Sequence, residues 1–94
     1  MISLNPKECD LIGKWELVNG KVVADATTSR IEALVEKELE KVGSDPTGWD
    51  TLYRDPQDGR YWELTFPDSS LHGGGPPRLT SVSGDHARNK YHLY

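Results

Sequence analysis

Cysteine is almost missing from this chain: Cys9 is the only one. One thiol closes no intrachain disulfide and builds no cysteine metal cluster, which suits a reducing compartment. Long apolar runs are missing too. No stretch approaches the ~20 consecutive apolar residues that span a bilayer. The opening MISLNPKECDLIGKW has no apolar run of signal-peptide length and carries Lys7, Glu8 and Asp10. These absences lead us to expect a soluble cytoplasmic protein with no membrane association. Positive charge is short as well, with 11 bases against 15 acids for a net charge of −4. Phosphate binding wants a basic patch, so nucleic acid is set aside as a ligand; a basic protein partner would instead be attracted and steered. Hydrophobic residues make up only 35%, so three Trp, four Tyr and one Phe must supply much of the packing. A chain of this length buries somewhat over ~60% of its unfolded surface, enough for one modest core. We expect a single domain over residues 1–94, with 1–10 as an N-terminal extension.

What is present reads as alternating strand and helix signals. GKWELVNGKVVAD, Gly13 to Asp25, is a hairpin around Asn19–Gly20, the pair that best tolerates the positive φ angles of a type I′ turn. Trp15 and Leu17 alternate with Lys14, Glu16 and Val18, which predicts one buried face. A helix is predicted from about Thr28 to Val42, with Ser29 and Glu32 as a capping box and Gly43 as the residue after its end. Ile31, Leu34, Val35, Leu39 and Val42 share one face of that helix. WDTLYR and RYWELTF form a second hairpin across DPQDG; Trp62, Leu64 and Phe66 face inward, while Tyr61 and Glu63 face the freer side. A long loop, the short strand RLTSVS and a C-terminal helix capped by Ser83 or Asp85 complete a ββαβββα order. The predicted class is α+β: a mainly antiparallel sheet packed against one long helix and a short C-terminal one.

Several chemistries fail on the residues themselves. Asp68, Ser69, Ser70 and His72 are close in sequence. A nucleophile also needs a base at bonding distance and a group to orient that base, and no G-x-S-x-G turn is present. Asp and Ser are ordinary loop formers that bond the local backbone. His72, His86 and His92 lack ligand spacing, so no metal or other cofactor is expected. Gly73–Gly75 could cradle an anion, but Pro76 and Pro77 follow where a phosphate loop needs donors. On the predicted helix, Glu32, Glu36 and Glu40 form an acidic stripe beside Arg30, Lys37 and Lys41. An ordinary solvated face explains each residue alone; a basic partner would explain the stripe. Glu38 falls on the apolar arc, either reaching out along its stem or pairing with Arg54 or Arg60.

A more specific pattern runs through the second half. It comprises Gly48–Trp49, LYRDPQDGRYWELTFP at Leu52 to Pro67, HGGGPPRL at His72 to Leu79, and A..KY at Ala87 to Tyr91. With L.G.W at Leu11 to Trp15 and RI..LV at Arg30 to Val35, this pattern resembles the bacterial immunity protein 27 family over roughly residues 11–91. Phe66 stands where Tyr would be equally expected, a departure that removes one hydroxyl. The resemblance implies a small α+β cytosolic protein encoded beside a polymorphic toxin, which it binds and neutralises. It implies no enzyme and carries over no catalytic residue. The partner would be a cognate toxin domain, and an acidic inhibitor would suit a basic toxin such as one that attacks nucleic acids. The candidate partner-binding residues are Glu32, Glu36, Glu40, Tyr61, Glu63 and His72.

Two rival readings remain open at the level of sequence. One is a small enzyme using Glu63, His72 and Arg78 around the glycine loop, which requires them to converge in a pocket. The other is an adaptor that binds a peptide along a sheet edge. For the Gly-Gly-Gly-Pro-Pro loop the leading reading is routing of the chain to its last strand, ahead of a docking role.

Overall fold

The computed structural model describes residue 4, residues 7–67 and residues 75–92. Among them, β1 (Asp10–Ile12), β4 (Glu40–Ser44), β5 (Thr51–Arg54), β6 (Tyr61–Thr65) and β7 (Arg78–Val82) form a five-stranded sheet in the order β1-β7-β6-β5-β4. Every pairing is antiparallel. β2 (Trp15–Val18) and β3 (Lys21–Ala24) make a separate two-stranded ribbon. α1 (Ala26–Ala33) runs on into a π-helical turn, Leu34–Glu38, and α2 (Gly84–Tyr91) closes the chain. The α+β class and the antiparallel sheet are as expected, with β1 and β4 as additional strands.

Register explains how the sheet is covered. Leu11 pairs with Leu79, Leu79 with Leu64, and Tyr53 with Trp62. Cross-strand partners share a face, so these residues meet Ile31, Leu34 and Leu39 from the helical segment in the main core, with Leu4 from ahead of β1. The opposite face presents Leu52, Tyr61 and Val82, and α2 lays Ala87 and Tyr91 on it. Both faces of the sheet are therefore occupied, one by each helix. Trp62 is fully buried, with the Arg60 guanidinium 4.8 Å from its ring centroid.

The ends of α1 differ from the sequence expectation. Asp25 is the N-cap, accepting the Thr28 N–H at 2.7 Å, so the helix starts at Ala26 rather than at a Ser29 cap. Thr28 is turned inward and fully buried, bonded through its hydroxyl oxygen to the backbone of Lys14. The helix also ends early. Leu39 N–H closes a π-type bond to the Leu34 carbonyl at 2.8 Å, after which Leu39 is extended. Helical propensity lost here to the sheet. Without β4, strand β5 would be an edge with a row of unpaired backbone groups, and Gly43 disfavours a helix interior by about 1 kcal/mol relative to Ala. Glu40 thus sits on a strand, opposite Arg54, and Gly43 follows a register shift opposite Leu52.

The turns follow their residues closely. Asn19 and Gly20 both have positive φ, 51° and 77°, as a type I′ turn requires. Asp55 accepts the Gln57 N–H with its side chain while its own N–H donates to the Arg60 carbonyl, closing the DPQDG turn. Ser83 caps α2 by accepting the His86 N–H at 3.1 Å.

Candidate partner-binding surface

The β2–β3 ribbon is pinned at its root and open beyond it. Gly13 N–H donates to the Pro77 carbonyl at 2.9 Å, and Asp25 N–H donates to the Lys14 carbonyl at 3.0 Å. Lys14 N–H donates to the Thr28 hydroxyl oxygen at 3.1 Å. The root leaves no room for a side chain at Gly13, because a Cβ there would fall 2.4 Å from Thr28 Oγ1 and 2.8 Å from the Pro77 oxygen. This gives the Pro-Pro segment a structural job. It fixes a carbonyl that holds the ribbon in place, and a small cleft lined by Ile12, Pro67, Pro76 and Arg78 lies beside that contact.

Beyond the root no described residue covers the ribbon on either side. The pairs Trp15–Ala24 and Leu17–Val22 share one face, while Glu16–Val23 and Val18–Lys21 share the other. Leu17 is 74% exposed and Val22 70%. Trp15, Val18 and Val23 are also exposed, as is Ile12 just before the root. The expected buried face of this hairpin is thus corrected: among the described residues, neither face is covered. A signal was present in the sequence, since Val18 and Val23 place apolar side chains on the side that alternation assigns to Glu16 and Lys21. At the same end of the five-stranded sheet, Trp49 is exposed and meets Phe66 edge-to-face at 6.1 Å.

The residues singled out from sequence divide into three groups. Glu32 and Glu36 are exposed on the helical segment and Glu40 is exposed on β4, so their expected single helical stripe is split between two elements. Arg30 is taken out of the neighbouring basic set by a bidentate pair with Glu8, at 2.5 and 2.6 Å, which holds its guanidinium above its ordinary pKa. Tyr61 is half-buried under α2. Glu63 is only 7% exposed, which corrects its placement on a free face: α2 covers that side of the sheet. His72 lies outside the described residues, as do Asp68, Ser69 and Ser70.

Glu63 anchors α2 instead. Its carboxylate accepts from Tyr91 Oη at 2.8 Å and Lys90 Nζ at 2.7 Å, with His86 Nε2 at 3.4 Å. Lys90 reaches Asp50 as well, at 2.7 Å. Burial pushes the Glu63 carboxyl up, but the bonds from Lys90, Tyr91 and His86 outweigh it and hold the group below the usual carboxylate range. Burial also pushes the Tyr91 hydroxyl up, and the Glu63 contact adds to that. The pocket imagined for Glu63 and Arg78 is not what their contacts build. Arg78 makes two bonds to Asp10, at 2.9 and 2.8 Å, and those bonds hold Asp10 below its ordinary pKa. Among the described residues, no group of three or more His, Cys, Asp or Glu is placed to hold a metal ion, and no helix is long and apolar enough to cross a membrane.

Fold and surface together define a small α+β protein whose largest uncovered apolar feature, among the described residues, is a strand ribbon rather than a pocket. The sequence model of the immunity protein 27 family matches residues 17–83, well over half of the chain. The chain belongs to the immunity protein 27 family. No curated protein matches it, and no solved structure does.

Proposed function

We propose that this protein binds a cognate bacterial toxin domain in a stoichiometric complex and neutralises it in the cytoplasm, without turning over a substrate. The observation that carries this reading is the family match over residues 17–83, which spans the ribbon turn, the first helical segment and strands β4 to β7. The acidic balance of the chain and the outward carboxylates Glu32, Glu36 and Glu40 support a basic partner, such as a toxin domain that attacks nucleic acid. Tyr61 and Glu63 contribute to this reading mainly by seating α2, and His72 enters it through the motif it belongs to.

The test is co-expression. The toxin domain encoded beside this gene is expressed with and without the protein, growth is scored, and the two are co-purified. Rescue with a 1:1 complex is the expected result. Rescue without a complex would mean that the damage is reversed chemically, and the stoichiometric reading would fall. Absence of both would remove the immunity reading altogether.

A further inference from the structure

We infer that the β2–β3 ribbon is the element that enters the partner, and that its occupant is an apolar cleft in a basic protein domain; this rests on the toxin-binding reading above. A two-stranded ribbon is marginal in water unless its side chains are covered. This one holds its shape at the root through Gly13, Lys14, Asp25 and Thr28 while leaving Trp15, Leu17 and Val22 open on one face and Val18 and Val23 open on the other. Contiguous apolar surface of this kind on a small protein marks an interaction site. Because each face carries exposed apolar side chains, Val18 and Val23 beside Glu16 and Lys21 on one and Trp15, Leu17 and Val22 on the other, a flat partner covers only one set. A cleft covers both.

Charge selects the kind of cleft. The ribbon, Trp15 to Ala24, carries Glu16 and Lys21 and is neutral, so the whole net charge of −4 lies on the rest of the chain. A neutral arm on an acidic body fits an apolar slot with a basic rim, where the body's carboxylates meet the rim as the arm goes in. A second copy of this chain fits less well. Two ribbons stacked face to face bring together four residues from each, Trp15, Leu17, Val22 and Ala24. Standard interfaces use ~20–30 residues a side, and the two acidic bodies would repel. The pinned root adds preorganisation, because both ends of the arm are already fixed before binding.

The experiment uses the full chain and the toxin domain encoded beside its gene. The variants are Leu17→Lys with Val22→Glu, both at exposed positions, and Leu17→Lys alone; circular dichroism and thermal melting verify that each is folded. Affinity is measured by calorimetry and oligomeric state by sedimentation. We expect wild-type protein to be monomeric and to bind, the double variant to bind about 30-fold or more weaker, and the single variant to fall between. Wild-type binding with unchanged affinity in both variants overturns the ribbon assignment and leaves the immunity reading standing. No wild-type binding overturns both. A wild-type dimer that the double variant converts to monomer assigns the ribbon to a second copy and overturns the cleft.

Discussion

The five-stranded sheet and the two-stranded ribbon are built from the same materials, antiparallel strands carrying Trp, Leu and Val, yet they end in opposite environments. Trp62 in β6 is fully buried and Trp15 in β2 is exposed. The residues immediately around each Trp do not separate them, since Trp15 and Trp62 each lie in a stretch that alternates apolar with polar residues. What separates them is cover. The sheet has a helical segment on each face, one inserted between β1 and β4 and one following β7, whereas the ribbon, among the described residues, meets the body only at its root. A strand's burial is therefore decided by where the neighbouring helices land, and an apolar strand left bare is better read as an interface than as a packing error.

Four substitutions sharpen this contrast, beginning with the largest effect. Trp62→Ala in the covered sheet should cost about 3–5 kcal/mol through lost burial and a residual cavity, read from urea unfolding. Gly13→Ala, at the junction of the two regions, should cost about 1–3 kcal/mol, because the new methyl meets Thr28 Oγ1 and the Pro77 carbonyl with nowhere to go. It should also loosen the ribbon relative to the sheet, a change that nuclear magnetic resonance order parameters would register.

Glu63→Gln tests the polar seat of α2 and should destabilise by about 1–3 kcal/mol. Its pH dependence has a definite sign. The Glu63 carboxyl is held below its ordinary value in the folded state. Its contribution is therefore present above the unfolded-state value of about 4.3 and is lost as pH falls through the folded value. Wild-type stability should drop on acidification below about pH 4 more steeply than that of Glu63→Gln; parallel curves would contradict the assignment. The smallest effect is expected on the ribbon, where Leu17→Ser should leave stability within about 0.5 kcal/mol. A large loss there would mean that Leu17 is packed in the free protein and that the contrast between the regions is wrong.

Much of the fold was legible in the sequence because the signals were local. Asn19–Gly20 writes a type I′ turn, Ser83 writes a helix cap, and the alternation of Trp62 and Leu64 places them inward. The failures were tertiary. Glu40 to Ser44 reads as the end of a helix, and becomes strand because β5 needs a partner. Glu63 reads as an outward residue on a sheet with one free face, and is buried because eight residues of α2 arrive from the far end of the chain. The surface was legible only in part. Glu32, Glu36 and Glu40 are outward as their sequence positions suggest, on two elements instead of one, while the ribbon reads as a half-buried hairpin because alternation on β2 masks the apolar residues on its second face. The Pro-Pro motif read as routing, and its described part does more: Pro77 supplies the carbonyl that seats the ribbon.

The most direct measurement is amide hydrogen exchange on the free protein and on the complex that the proposed function expects with the toxin domain. The sheet amides of β5, β6 and β7 should be strongly protected in both states. The ribbon amides between Trp15 and Ala24 should exchange readily in the free protein and become protected in the complex. Ribbon amides that are as protected as the sheet before any partner is added, or that stay unprotected in a verified complex, would contradict the ribbon assignment.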